Sequence, residues 1–213
     1  MTDRSSTLSL EATAARVRAC RLCRDAPRGA PLPHEPRPVL RVSSTARLLI
    51  ASQAPGIRVH LSGLPFDDAS GDRLRAWMDV SRETFYDERR VAIAPMGFCF
   101  PGHGPGRSDL PPRRECRARW HDELFDAAGP FDCVLAIGRY AQDYHFARAG
   151  RPLPKGARLD EIVRRWRDFA GAAPKIIALP HPSWRNSGWL KRNPWFEAEV
   201  LPELRAEVAK AIG

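Results

Sequence analysis

The chain has 213 residues, 43% of them hydrophobic, which is enough to bury one sizeable core in one domain or at most two. Its 34 Lys and Arg residues outnumber its 25 Asp and Glu residues, so the net charge is +9. That charge suits a polyanionic partner, although an arginine-rich composition alone also produces it. The sequence has no apolar run of about 20 residues to span a membrane and no signal-peptide pattern. We therefore expect a cytoplasmic, monomeric protein without membrane contacts.

The N-terminal region is predicted to be a helix followed by an irregular loop. Residues 8–20 carry Leu10, Ala14 and Val17 at helical spacing among good helix formers. The five prolines within residues 27–38 exclude a regular element there. We interpret residues 1–40 as this helix and proline-rich loop, within one domain that covers residues 1–213.

Short apolar runs of the kind that buried parallel strands show recur through the rest of the chain. The predicted strands are residues 47–52, 90–95, 133–138 and 175–179. Stretches with apolar spacing near 3.6 residues separate or follow them, and the predicted helices are residues 70–80, 113–128, 140–147, 159–170 and 194–211. This alternation predicts an α/β fold, a three-layer α/β/α sandwich on a mainly parallel sheet of about four strands.

Two short motifs follow predicted strands. Residues 52–56 read Ser-Gln-Ala-Pro-Gly, and residues 181–186 read His-Pro-Ser-Trp-Arg-Asn. Open α/β sheets bind ligands at the carboxyl ends of their strands, and small residues let a ligand approach the backbone. Each motif is therefore a candidate part of a ligand site.

Four of the five cysteines form a second pattern. Cys20 and Cys23 are spaced as C-x-x-C, Cys99 follows the end of the second predicted strand, and Cys116 lies early in the next helix. Disulfides are not expected in a reducing compartment, whereas four thiolates can hold an iron–sulfur cluster or a structural zinc. Unrelated free thiols are the alternative. The fifth, Cys133, lies within an apolar strand and is interpreted as a core residue.

The order of these motifs resembles the uracil-DNA glycosylase superfamily, most closely its iron–sulfur members in families 4 and 5. Those enzymes have an N-terminal C-x-x-C, a G-E-A-P-G motif, a G-R-P-F segment, two more cysteines and a motif that begins H-P. The matching positions here are Cys20 and Cys23, residues 52–56, residues 63–66, Cys99 and Cys116, and residues 181–183.

The resemblance implies a monofunctional glycosylase that binds DNA, flips out a deaminated base and excises it by hydrolysis during base-excision repair. Uracil is the first expectation for that base, with hypoxanthine and xanthine as alternatives. The implied cofactor is a 4Fe–4S cluster held by Cys20, Cys23, Cys99 and Cys116, with structural zinc as the alternative.

The resemblance also implies catalytic roles. Hydrolysis of an N-glycosidic bond passes through a cationic sugar, so the site must help the base leave and orient water. His181 would donate to a carbonyl oxygen of the base. Asp68 would activate water, because residues 66–72 resemble the family 5 segment F-T-G-D-A-S-G-D. A helix N-cap is the alternative role for Asp68, with Asp67 and Gln53 as rival candidates for holding water.

Base and DNA contacts complete the expected site. Phe66 would stack on the flipped base. Pro95 replaces the asparagine that reads uracil in family 4, so the backbone of Met96, Gly97 and Phe98 is expected to read the base instead. The other expected base contacts are Ala54, Pro55, Gly56 and Ser183. The expected DNA contacts are Trp184, Arg185, Asn186, Arg107, Arg113 and Lys191.

Two other classes of function are alternatives to a glycosylase. The first is a non-catalytic or crosslinking damaged-DNA binder of the same fold, because His103 lies in the loop that carries a crosslinking histidine in one related subgroup. The basic residues that flank that histidine are missing here. The second is an acyl or phosphate hydrolase, which lacks support because the sequence has neither a G-x-S-x-G nucleophile motif nor a phosphate-binding P-loop.

Overall fold

The computed structural model describes residues 9–169 and 171–213, and within this part of the chain four strands form one parallel sheet. The strands are β1 (Leu48–Ala51), β2 (Val91–Ile93), β3 (Cys133–Ile137) and β4 (Lys175–Leu179). Their order is β2-β1-β3-β4, and every strand residue is buried. Burial on both faces explains why the strands read as continuous apolar runs rather than as alternating patterns.

Helices cover both faces of the sheet. They are α1 (Leu10–Arg18), α2 (Leu22–Asp25), α3 (Ile57–Ser62), α4 (Ala69–Met78), α5 (Arg82–Phe85), α6 (Arg114–Ala128), α7 (Arg139–Arg148), α8 (Leu159–Arg164), α9 (Ser187–Arg192) and α10 (Leu201–Ile212). Alternate strand residues point to opposite faces, where α1, α6 and α7 close one core and α4 and α10 close the other. The predicted three-layer α/β/α sandwich is confirmed.

The predicted strands are confirmed to within two residues at each end, and residues 27–38 form no helix or strand. The helix predicted at 159–170 instead ends at Arg164 and tightens into a 3-10 turn, Arg165–Phe169, while Ala170 lies outside the described residues. An ion pair between Arg165 and Asp168 suits this turn, because residues three apart are stacked in 3-10 geometry.

The helix predicted at 194–211 also differs from the structure. A π-helical turn, Phe196–Val200, precedes α10. Pro202 in the first turn of α10 has no N–H to donate to the preceding turn, which accounts for the local widening. Throughout residues 9–169 and 171–213, the helices fall short of the length and apolar character that crossing a membrane requires.

The carboxyl ends of the strands meet at one edge of the sheet. In the strand register Ile50 pairs with Ile93, Ala51 with Ala136, and Ile137 with Leu179. The segments that leave β1, β2 and β4 therefore emerge at the same edge of the sheet, with β3 between β1 and β4. Both sequence motifs begin in these segments.

Candidate functional site

A cavity of about 480 Å³ opens at the carboxyl edge of the sheet. Its volume lies within the range of ligand-binding clefts in proteins. It brings together most of the predicted site residues, namely Gln53, Ala54, Pro55, Gly56, Phe66, Asp68, His181, Ser183, Trp184, Arg185 and Asn186. Two motifs that are distant in sequence thus form opposite parts of one site.

His181 follows β4 and contributes a partly buried imidazole to the cavity. Burial lowers the pKa of His181, against the opposing effect of the nearby carboxylates of Asp68 and Asp109. The backbone of its loop is held in place, because Asn186 Nδ2 donates to His181 O at 2.8 Å and Arg73 Nη1 donates to Ser183 O at 3.0 Å. Burial in the cavity therefore favours the neutral form of the imidazole, and two hydrogen bonds support its loop.

Asp68 caps a helix and also lines the cavity. Its Oδ1 accepts a hydrogen bond from Gly71 N at 3.0 Å, which makes it the N-cap of α4. Asp67 instead forms an ion pair with Arg82 at 2.9 Å and is not among the residues that line the cavity. Of the two neighbouring carboxylates, Asp68 is the one that the structure places in the site.

Phe66 reaches the cavity through an unusual backbone conformation. Its φ is +57°, in the left-handed region that residues with a Cβ rarely occupy. Helix α4 packs closely against the carbonyl group of Phe66. A Cβ added at Gly71 would lie 1.8 Å from Phe66 O, and Arg75 Nη1 donates to that oxygen at 3.4 Å. The ring also packs edge-to-face on Phe85, with centroids 6.0 Å apart. The backbone of Phe66 thus packs against α4, and its ring packs against α5.

The segment after β2 does not face the cavity in the way that the sequence analysis predicted for a base-reading backbone. Pro95 lines the cavity, whereas Met96, Gly97 and Phe98 do not. Their N–H groups bond within the protein, to Ser52 O at 2.8 Å, Gln53 O at 3.0 Å and Cys116 Sγ at 3.4 Å respectively. These N–H groups are therefore unavailable to read a base. The segment instead joins the first motif to the helix that carries Cys116.

The predicted DNA-contact residues divide into two groups. Trp184, whose exposed fraction is 76%, and the exposed Arg185 lie at the cavity rim, and Lys191 is exposed on α9. Arg113 lies away from this rim, where its Nη1 donates to Ala30 O at 2.7 Å. The side chain of Arg107 lies outside the described residues.

Cys20, Cys23, Cys99 and Cys116 all line a second cavity, together with the apolar side chains of Phe98 and Trp120. Trp120 Nε1 donates to Cys20 Sγ at 3.1 Å. Burial raises the pKa of Cys23 to about 11 and that of Cys99 to about 12, and it also raises the pKa of Cys116. Among residues 9–169 and 171–213, no three His, Cys, Asp or Glu side chains are placed to hold a metal ion.

A protein-family model described as the Uracil DNA glycosylase superfamily matches residues 41–205. The chain belongs to this superfamily. The match covers the whole sheet and both motifs, and membership in the uracil DNA glycosylase superfamily supports a DNA-glycosylase type of function that acts on DNA. Cys20 and Cys23 precede the matched residues, so the match does not bear on the cysteine cavity.

Two further residues that support or line this cavity were not predicted from the sequence. Arg73 on α4 supports the second motif through Ser183 O, and Asp109 lines the cavity from the loop between β2 and α6. No sequence pattern identifies Asp109 as a cavity residue, because its position depends on how an irregular loop folds back. His103, the residue considered for crosslinking, pairs with Asp109 at 3.3 Å and is not among the residues that line the cavity.

Proposed function

We propose that this protein is a monofunctional DNA glycosylase that hydrolyses the N-glycosidic bond of a deaminated base flipped into the cavity. The observation that carries the proposal is the convergence of Asp68, His181 and Phe66 on one cavity at the carboxyl edge of the sheet. A carboxylate, an imidazole and an aromatic ring are the groups that this chemistry needs.

The roles follow from the properties of each group. The bond between C1′ and the base nitrogen breaks with its electron pair on the base, and the N–H of neutral His181 stabilises the charge that develops on a base oxygen. Asp68 holds an attacking water and accepts its proton as the water oxygen bonds to C1′. Gln53 is a neutral contact for the same water or for the base edge.

Uracil is our first proposal for the excised base, and hypoxanthine and xanthine are the alternatives. Pro95 has no side-chain amide, so the base must be read by other groups of the cavity. The amides of Gln53 and Asn186 combine a donor and an acceptor, although Asn186 already donates to His181 O. Gln53 is therefore the side chain that we assign to reading the base edge.

The deciding experiment measures base release from matched oligonucleotides that carry uracil, hypoxanthine or xanthine, both single-stranded and paired. Alkaline cleavage at the abasic site reports the reaction. Cleavage of one substrate, with none of an undamaged oligonucleotide, is the expected result. Tight binding of a damaged oligonucleotide without cleavage of any would contradict the proposal and favour the damaged-DNA binder.

Replacing Asp68 with asparagine is expected to lower the rate of base release by about 10²-fold or more. Asparagine caps helices about as well as aspartate, so the start of α4 and the fold stability should be preserved. Single-turnover rates and thermal unfolding curves of the two proteins test this. Asp67→Asn is the matched control, because it removes the neighbouring charge from the surface pair with Arg82. Equal loss of activity in both variants would contradict the assignment to Asp68.

For the DNA interface, we propose that the rim residues contact the strand that carries the lesion. Trp184 is large, apolar and exposed beside the cavity, which suits a side chain that fills the gap left by a flipped nucleotide. Arg185 and Lys191 are positioned to meet phosphates, and binding through such contacts weakens as salt rises. Arg113 faces the cysteine cavity and is left out of this interface.

We also propose that the four cysteines hold a 4Fe–4S cluster, with structural zinc as the alternative. The residue types suit either group, since four thiols from the N-terminal region, the segment after β2 and α6 line one cavity. Hydrogen bonds from Phe98 N and Trp120 Nε1 to cysteine sulfurs are of the kind that tune iron–sulfur centres. Such a cluster is redox-active when bound, and its part in this protein would be to tie these three segments together.

Cys99→Ala is expected to abolish iron and acid-labile sulfide binding and the associated visible absorbance. The matched control is Cys133→Ala, because Cys133 is a buried cysteine of β3 outside the cysteine cavity. Metal and sulfide analysis of both purified variants and the parent provides the measurement. If the parent protein contains zinc and no acid-labile sulfide, the four cysteines hold structural zinc and not an iron–sulfur cluster. Retention of all metal by Cys99→Ala would contradict both assignments.

A further inference from the structure

Asp109 is a second carboxylate in the cavity, beside the first motif. A Cβ added at Gly56 would lie 3.4 Å from Asp109 Oδ2, so the carboxylate closely approaches the backbone at the end of that motif. Its exposed fraction is 47%, which places it towards the mouth of the cavity. The carboxylate belongs to the cavity but has no role in the mechanism described so far.

The loop that carries Asp109 is folded back on itself. Gly104 N donates to Ser108 O at 2.7 Å, and Leu110 N donates to Gly102 O at 2.9 Å. Between these bonds, His103 pairs with Asp109 as an isolated antiparallel bridge, and His103 Nδ1 lies 3.3 Å from Asp109 Oδ1. These contacts hold the carboxylate at the cavity in a defined position.

Asp68 and Asp109 both act on the same imidazole. Each carboxylate favours the protonated form of His181, although burial has the larger effect on the pKa of His181 and lowers it. The two carboxylates differ in their partners. Asp68 Oδ1 is bound by a backbone N–H at the start of α4, whereas Asp109 Oδ1 is paired with an exposed imidazole.

We propose that Asp109 faces the sugar of the flipped nucleotide and stabilises the positive charge at C1′, a role that rests on the glycosylase function proposed above. Phe66 is buried, whereas Asp109 is exposed, so a base stacked on Phe66 would leave its sugar nearer the mouth of the cavity, where Asp109 is placed. As the bond between C1′ and the base breaks, the electron pair leaves with the base and the sugar becomes cationic. The water oxygen then bonds to C1′, and its proton passes to Asp68.

A carboxylate in this position opposes DNA binding while it assists the reaction, because DNA phosphates are negative. Removing the charge should therefore slow the chemical step and leave affinity unchanged or increased. A residue that only supports the loop would not give this pair of effects, since loss of loop structure weakens binding and turnover together.

The test compares Asp109→Asn with the parent in single-turnover base release and in binding to an oligonucleotide that carries an abasic site. We expect the maximal rate to fall on the order of 10²-fold, with a dissociation constant equal to or lower than that of the parent. Asp143→Asn is the matched control. Asp143 is on α7, pairs with Arg139 and has an exposed fraction of 48%, so it loses the same charge from a similar environment outside the cavity.

Each outcome is decisive. If the parent releases uracil, hypoxanthine or xanthine and Asp109→Asn does so within twofold of the parent rate, the role of Asp109 is wrong and the glycosylase function stands. If Asp109→Asn lowers the rate of base release and the affinity for abasic DNA to the same extent, the proposed role is also wrong, and Asp109 only supports the structure of its loop. If the parent releases none of these bases, the proposed function fails, and the role of Asp109 fails with it.

Discussion

Replacing His181 with alanine is expected to lower the rate of base release by about 10²- to 10³-fold under single-turnover conditions. The imidazole lies in the same cavity as Asp68, and loss of its N–H would leave the charge on the departing base without a donor. Binding of abasic DNA should change much less than the rate. His181→Gln should recover part of the loss, because an amide also offers a neutral N–H donor.

The pH dependence of this reaction distinguishes a neutral imidazole from a charged one. Burial lowers the pKa of His181 below its ordinary value of 6.5, so the folded protein prefers the neutral form. We therefore expect the His181-dependent rate to persist as pH rises through 6.5 into the alkaline range. The same preference reduces the stability of the folded state as pH falls below 6.5, since the unfolded chain then binds more protons. A rate that declines as pH rises through 6.5 in the parent but not in His181→Gln would indicate a charged donor instead.

Replacing Gly71 with alanine is expected to cost about 3 kcal/mol in the free energy of unfolding. The new Cβ would lie 1.8 Å from Phe66 O and 2.7 Å from Phe66 C, and backbone atoms cannot move aside as a flexible side chain can. Either the start of α4 or the left-handed conformation of Phe66 must change. Because Asp68 and Phe66 both depend on this contact, base release should fall together with stability.

The control for this prediction is Gly188→Ala in α9. There the nearest atom to an added Cβ is the end of the Arg192 side chain, at 3.5 Å, which is ordinary contact. Alanine is also the better helix former, so a small stabilisation is expected. Denaturant unfolding of both variants supplies the comparison. A free energy of unfolding for Gly71→Ala within about 0.5 kcal/mol of the parent value would contradict the close contact.

The features that the sequence predicted well are those with a strong local signal. Apart from Lys175 at the start of β4, the four strands are runs of consecutive buried apolar residues, and the two motifs follow the ends of β1 and β4. Strand register then brings the motifs together without any further information. The helices α2, α3, α5 and α9 were not predicted, because four to six residues are too few to show helical periodicity.

The rest of the site depends on contacts between segments that are distant in sequence. The left-handed Phe66 is fixed by α4, and the carboxylate of Asp109 is placed by a loop that folds back on itself. Met96 N and Gly97 N bond to the first motif instead of facing a ligand, which only the packing of two strand ends reveals. No local pattern of residue types carries this information.

The N-cap at residue 68 has a consequence for how such a protein changes by mutation. A G-to-A transition converts an aspartate codon into an asparagine codon, and an unrepaired deaminated cytosine in the opposite strand leaves that transition after replication. Since asparagine also caps α4, the transition would remove the proposed chemistry without unfolding the protein. A gene of this kind is thus one common lesion away from encoding a protein that keeps its fold and its cavity but has lost the chemistry proposed for it.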